Sequence, residues 1–223
     1  MSADAGAAPQ RQQLVWLTPA GWRQVRNTDR EAGQRDCIEH WAAAGLPLVV
    51  TRQHEHRHLA LGLAAPLAFD RFRIAIAIDR EQVDRLGEFP AAARIERALP
   101  GESRASWRRL VALLAHLACP ARVYGGHGWQ ALTGMRYVHE DSDIDLLMPV
   151  ATPARADAVC AALIDLGPGL PRLDGELLFP DGAAIAWREW LQRRSGQADR
   201  LLVKRTGGAA LESFDFAEPS PAC

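Results

Sequence analysis

Cysteine is scarce in this chain. Its four residues, Cys37, Cys119, Cys160 and Cys223, are scattered over 223 positions without a C-x-x-C pair. That spacing fits a reducing setting, in which buried, inert thiols are the default, better than a disulfide framework or a zinc site. Long apolar runs are lacking too: the longest stop well short of the ~18 residues that a membrane-spanning helix needs. The first residues hold no apolar core of the kind a secretory leader carries. Nor is there an excess of positive charge. Lys and Arg number 26 against 27 Asp and Glu, for a formal net charge of -1 and a pI near 6.7, whereas a nucleic-acid binder shows a basic excess or stripe. These absences argue against a polymerase or RNA-tailing role and describe a cytoplasmic protein with neither nucleic acid nor membrane as partner. What is present, 48% hydrophobic residues and a mean hydropathy of -0.15, suffices to bury a core in one domain or two small ones. No internal repeat is visible.

Two folded parts are expected. Residues 1–12 read as a disordered lead-in and 218–223 as a tail. Between them, 13–99 form a small N-terminal α+β domain: Leu14–Leu17 reads as a strand, Pro19–Val25 as a short helix, Gln34–Ala44 as a helix closed by Gly45, and Leu48–Arg52 as a strand. Leu59–Leu63 and Phe72–Ile78 follow as strands. In the second, Phe72, Ile74, Ile76 and Ile78 alternate with Arg73, Ala75, Ala77 and Asp79, a clear period of two. Arg80–Leu99, rich in charge and alanine, reads as helix or linker. Residues 100–217 form the second domain, which opens with a helix carrying Trp107, Leu110, Val111, Leu114 and Leu117 on one face.

The chemistry concentrates between Val123 and Met148, VYGGHGWQALTGMRYVHEDSDIDLLM. If residues 142–148 are a strand, Asp143 and Asp145 point to one face while Ile144 and Leu146 point to the core. Like charges so placed repel unless a cation lies between them, and a hard divalent ion with oxygen ligands fits; Mg2+ is the natural candidate. Such an ion completes its shell with water and substrate phosphates, which points to nucleotide chemistry. Ahead of these acids, a short strand over Ala121–Tyr124 runs into Gly125-Gly126 and then the helix-like Trp129–Leu132. A backbone without Cβ atoms can turn tightly and bring N–H groups against phosphate at a helix N-terminus. Taken alone, the glycine pair is equally an ordinary turn.

The order strand, Gly-Gly, helix, Asp-x-Asp resembles the nucleotidyltransferase superfamily of the polymerase beta type. More narrowly, YGGHGWQALTG with SDIDLL, the opening Leu14–Leu17, Pro47–Arg52 and the late Trp187-Arg188-Glu189 resemble malonate decarboxylase holo-acyl-carrier-protein synthase, also called phosphoribosyl-dephospho-CoA transferase. The resemblance runs from about Gln13 to Glu212. It departs from the commonest superfamily pattern where Gly126 stands in place of a frequent Ser, and in the long gap from Gly126 to Asp143. The fold it implies is α+β, a polymerase-beta-like nucleotidyltransferase catalytic domain with a smaller N-terminal α+β domain for docking the donor or the carrier protein.

The resemblance also implies a third carboxylate after the next helix. Thr152-Pro153 reads as an N-cap with proline at the first helical position, and that helix runs to Leu166 before Gly167-Pro168-Gly169. In the following strand Asp174 and Glu176 share a face, opposite Leu173, Gly175 and Leu177. Either is a candidate, with Glu176 favoured for its apolar flank; a solvent-facing edge is the plain alternative. The implied activity is transfer from 2'-(5''-triphosphoribosyl)-3'-dephospho-CoA to a serine of the apo acyl-carrier subunit of malonate decarboxylase, with release of pyrophosphate. Asp143 and Asp145 would hold Mg2+, with the third carboxylate completing its shell. The other readings are a nucleotidyltransferase acting on a small molecule or an antitoxin, or a nucleotide-binding module without catalysis.

Several residues stand between a functional and an ordinary reading. His127 lies just past the glycines and is a candidate phosphate contact or a helix-cap residue. Lys204, late in the short strand Leu201–Lys204, is a candidate to neutralise the triphosphate or a plain surface lysine. Arg188 is suited to phosphate or to an ion pair with Glu189. His54, His56 and His58 alternate as metal ligands would, although a polar hairpin connection explains them more simply. Thr133-Gly134 reads as a helix cap, and Trp16, Trp22, Trp41 and Trp107 as core, any one of them also able to stack on adenine or pantetheine.

Overall fold

Alternating apolar residues build the first of two sheets in the computed structural model, which describes residues 9–54, 57–166 and 169–213. Most of the expected lead-in, the tail, His56, Gly167-Pro168 and Cys223 lie outside these residues. The chain is mixed α+β and divides into two compact units.

The first unit opens with β1 (Leu14–Leu17), α1 (Pro19–Arg26), α2 (Ala32–Ala43), β2 (Leu48–Val50), β3 (His58–Ala64), β4 (Arg73–Asp79) and β5 (Val83–Gly87). Thr18 caps α1, its hydroxyl accepting from the Gly21 N–H at 3.0 Å with Pro19 at the first turn, the chemistry that starts helices at such a pair. The strands form one antiparallel sheet in the order β4-β3-β2-β1-β5. Along β4 the expected alternation holds: Ile74, Ile76 and Ile78 are buried and Arg73, Ala75, Ala77 and Asp79 face out. One expectation fails here. Residues 83–87, read as helix or linker, are the edge strand β5, paired to β1 from Gly87 opposite Leu14 to Val83 opposite Leu17. An edge strand buries little of itself, so its sequence carries no clean alternation; the guanidinium of Arg85 lies 3.5 Å over the Trp16 ring instead. Trp22 and Trp41 are buried as expected.

Residues 90–99, expected with the N-terminal domain, belong to the second unit. They form the 3-10 segment Ala92–Ala98, whose Ala92 and Ile95, together with Leu99, pack in one core with Trp107, Leu110 and Leu114. The Trp107 indole N–H donates to the Ala92 carbonyl at 2.9 Å. There follow α3 (Arg104–His116), β6 (Arg122–Tyr124) and α4 (Gly125–Thr133). From Gly126 to His139 the chain belongs to the first unit: Trp129 meets Trp41 and Phe89 edge-on, and the Tyr137 hydroxyl donates to the Ala64 carbonyl at 2.8 Å.

The second unit continues with β7 (Ile144–Pro149), α5 (Pro153–Ile164), β8 (Leu173–Leu178), β9 (Ala184–Ala186), α6 (Trp187–Arg194), β10 (Leu201–Arg205) and β11 (Gly208–Glu212). Its sheet order is β11-β10-β9-β8-β7-β6. β6 is antiparallel to β7 and β9 to β8, but β7 and β8 run parallel, which requires a crossover; α5 supplies it. The Thr152 hydroxyl caps α5 by accepting from the Arg155 N–H at 3.2 Å, with Pro153 as first residue. Where β8 meets β7 only glycine fits: Gly175 has φ +139°, and a Cβ there would lie 2.0 Å from the Leu146 carbonyl oxygen. Cys37, Cys119 and Cys160 are buried and free, their thiols pushed up by desolvation to about 11, 11 and 12, and so are not nucleophilic at neutral pH.

Candidate active site

β7 and β8 place four carboxylates on one face of the second sheet. Ile144, Leu146 and Met148 point into the core, so Asp145, and Asp143 two residues before it, take the opposite face. The parallel register sets Asp174 beside Asp145 and Glu176 beside Leu147; adjacent strands in register present paired residues to the same side. The same-face reading of Asp143 with Asp145 and of Asp174 with Glu176 therefore holds, and the sheet adds what no local pattern contained, the two pairs side by side.

That crowding is visible in the electrostatics. The Asp145 carboxyl is pushed up to about 6 from an ordinary 3.8, first by burial and then by the charges of Asp174, Asp143 and Glu176. Burial and like charges both disfavour the ionised form. Two cations answer the acids. Lys204 on β10 donates from Nζ to Glu176 Oε1 at 2.8 Å; Glu176 is 4% exposed and the Lys204 side chain 33%. Arg172, just ahead of β8, lies 3.6 Å from Asp143 Oδ2 and 3.5 Å from Asp174 Oδ2, with 61% of its side chain exposed. Asp174 Oδ1 also accepts from the Gly175 N–H at 2.8 Å. Lys204 thus stands in a part-buried ion pair rather than alone on the surface. Arg172 went unnoticed in the sequence, although its place two residues before Asp174 signals a shared face.

The glycine elbow meets these acids at one point. Gly125 has φ +59°, and a Cβ built on it would fall 1.9 Å from Asp145 Oδ2. Tyr124, the last residue of β6, pairs with Asp145 in register, so the strand delivers the elbow to the carboxylate. Gly125 and Gly126 are not a turn ahead of a helix starting near Trp129; they are the first turn of α4 itself. A left-handed φ is open to glycine at little cost, which lets strand pass to helix without a connecting loop.

The remaining candidates lie as follows. Gly126 and His127 belong to the first unit, where His127 is buried at 7% exposure on α4. Among the described residues Arg188 on α6 neither pairs with Glu189 nor reaches another acid: its Nη2 donates to the Leu173 carbonyl at 3.0 Å, its guanidinium sits 4.2 Å from the Trp187 ring, and Glu189 accepts from the Leu202 N–H. Arg188 thus ties the start of β8 at Leu173, between Arg172 and Asp174. His58 lies 3.4 Å from Asp79, and Gln53 closes the β2–β3 connection through bonds to Ala60, as a hairpin requires. Thr133 closes α4, its hydroxyl donating to the Trp129 carbonyl and accepting from the Met135 N–H.

Hard carboxylate oxygens in excess of the neighbouring cations are the donor chemistry of Mg2+. Among the described residues no three His, Cys, Asp or Glu side chains converge as a metal-holding group. Among the described residues, too, no helix is long and apolar enough to cross a membrane.

Two family models match adjoining stretches of the chain: the phosphoribosyl-dephospho-CoA transferase MdcG N-terminal domain over residues 10–89 and its C-terminal domain over residues 90–214. Curated relatives agree. The chain is 33% identical over 199 residues to a phosphoribosyl-dephospho-CoA transferase of Bradyrhizobium diazoefficiens, covering 88% of this chain and 86% of the relative. It is 34% identical over 205 residues to one of Xanthomonas campestris pv. campestris (90% and 92%) and 31% identical over 217 residues to one of Pseudomonas putida (94% and 96%). No solved structure matches the chain.

Proposed function

The chain belongs to the phosphoribosyl-dephospho-CoA transferase family, and from that premise we propose that it loads the apo acyl-carrier subunit of malonate decarboxylase with its prosthetic group. The donor is 2'-(5''-triphosphoribosyl)-3'-dephospho-CoA. A serine Oγ on the carrier forms a bond to the phosphorus next to the ribose, the bond from that phosphorus to the pyrophosphate oxygen breaks, and the serine proton leaves to solvent or a nearby carboxylate. The chemistry is nucleotidyl transfer on the cluster around Asp145. The observation that carries this reading is the approach of the Gly125 elbow to Asp145, which sets backbone at the start of a helix against a carboxylate that faces three others.

Asp143 and Asp145 would hold Mg2+, with Asp174 or Glu176 as the third carboxylate. The ion, when bound, neutralises the polyphosphate and the departing pyrophosphate. Gly125 keeps the elbow free of a side chain, so that a phosphate oxygen can approach the backbone. Lys204, held by Glu176 on the same face, adds a positive charge toward the triphosphate. Arg188, through the Leu173 carbonyl, keeps β8 and thus Asp174 in place; its part is positioning, not phosphate contact.

The test is incubation of the purified protein with labelled donor and apo carrier subunit, with Mg2+ and with a chelator. Label should enter the carrier only with Mg2+, with pyrophosphate released in equal amount, and neither should occur with Asp143→Ala. Wild-type rates from Asp143→Ala would refute the site. Label passing to a small molecule or another protein in preference to the carrier would refute the acceptor and favour another nucleotidyltransferase; binding without turnover would favour a non-catalytic module.

A further inference from the structure

The four carboxylates are served by two cations held in different ways. Lys204 is the chain's single lysine; it sits at hydrogen-bond distance from Glu176, which is almost wholly buried. Removing its charge would take from a carboxylate in the interior the ammonium that it accepts from, a loss that such pairs resist. Arg172 differs on each count. Both its acidic contacts, Asp143 Oδ2 and Asp174 Oδ2, lie beyond ordinary hydrogen-bond length, and its side chain is mostly in solvent. Exposed pairs of this kind shift an equilibrium by only about two- to fivefold each. A planar guanidinium on a flexible stem is also well matched to phosphate, which it binds through two parallel N–H groups.

We propose that Arg172 stands in for the divalent cation at Asp143 and Asp174 in the metal-free protein, and moves to the donor's phosphates when the cation takes those carboxylates. Lys204 does not exchange, because Glu176 holds it. The third carboxylate offered to the cation is then Asp174, whose Oδ2 carries only the loose arginine contact among the described residues, while Glu176 orients the lysine. This inference rests on the metal site proposed above and deepens it. Arg172 becomes a substrate-binding residue, and Asp143 and Asp174 keep a counter-charge whether or not metal is bound.

The experiment uses the full chain and Mn2+ alone, with free Mn2+ read by electron paramagnetic resonance, for the wild type, Arg172→Ala, Asp145→Asn, Asp174→Asn, Glu176→Gln and the control Arg200→Ala, an exposed arginine bonded to the Leu211 carbonyl. Arg172→Ala is expected to bind Mn2+ about three- to tenfold tighter than wild type, from the loss of two competing exposed contacts, with Arg200→Ala unchanged. Asp174→Asn should weaken Mn2+ binding by much more than Glu176→Gln, which removes a nearby charge but not a ligand. With Mn2+ saturating, inorganic tripolyphosphate should bind less tightly to Arg172→Ala than to wild type. If Asp145→Asn abolishes Mn2+ binding but Arg172→Ala binds it no more tightly than wild type, the exchange is overturned and the metal site stands. If neither wild type nor Arg172→Ala binds Mn2+, both fall. Loss of Mn2+ binding in Glu176→Gln, with Asp174→Asn intact, would overturn the division of roles between the two acids.

Discussion

Replacing Asp145 by asparagine should stabilise the metal-free protein while ending transfer. The Asp145 carboxyl sits at about 6 in the folded chain against 3.8 ordinarily, through burial and the nearby charges of Asp174, Asp143 and Glu176. Because the folded value is raised, the native state holds the proton more tightly than the unfolded one, and stability falls as pH rises from about 4 to about 6. Each pH unit of difference corresponds to about 1.4 kcal/mol, so the ceiling is about 3 kcal/mol. Asp145 is only partly buried, and solvent screening brings the expected cost at pH 8 to about 1–2 kcal/mol. Asparagine keeps the shape and discards the charge. In chelator-containing buffer at pH 8, urea denaturation of Asp145→Asn should show that gain, equivalent to about 2–8 °C in Tm for a chain of this size. At pH 4.5 about a third of it should remain. Mg2+ should raise the stability of wild type and not of the variant, reversing their order. A variant less stable than wild type at pH 8, or a gain of equal size at both pH values, would refute the crowding of charge from which the number is worked.

The Lys204–Glu176 pair should matter to folding as well as to the site: Lys204→Met leaves Glu176 buried without its ammonium, at an expected cost of about 1–3 kcal/mol by chemical denaturation, and adding Glu176→Gln should recover most of it. Gly125→Ala forces a side chain into a left-handed backbone and onto the Asp145 carboxylate; a strain cost of about 1–2 kcal/mol is expected, with carrier loading falling far more than stability, about 100-fold or beyond. Retention of most activity by this variant would mean that the elbow does not serve the carboxylates. At Gly175 the added methyl would meet the Leu146 carbonyl of the neighbouring strand, and Gly175→Ala should destabilise by about 3 kcal/mol or more, read as loss of soluble protein or a lowered urea midpoint.

Local order was legible in the sequence wherever it rests on a local period or cap. β4 follows from isoleucines at every second position, α1 and α5 from Thr-Pro starts, and the shared face of Asp143 with Asp145 or of Asp174 with Glu176 from strand parity alone. β5 escaped because an edge strand is defined by the partner it pairs with, and β1 lies far from it in the chain. The first turn of α4 was obscured by its glycines, which as residues suit a turn better than a helix; it is the meeting with Asp145 that gives them their place.

Residue types and short-range spacing thus determined which acids share a strand face and which residues were candidates for the site. Tertiary structure alone decided what stands opposite them. A parallel register set Asp174 beside Asp145, a strand twenty-eight residues downstream of Glu176 brought Lys204 to it, Arg172 came to lie between two acids, and Arg188 came to donate to a backbone carbonyl. The reason is physical: periodicity acts along one element, whereas register and ion pairing act across elements whose order in the sheet no local pattern encodes.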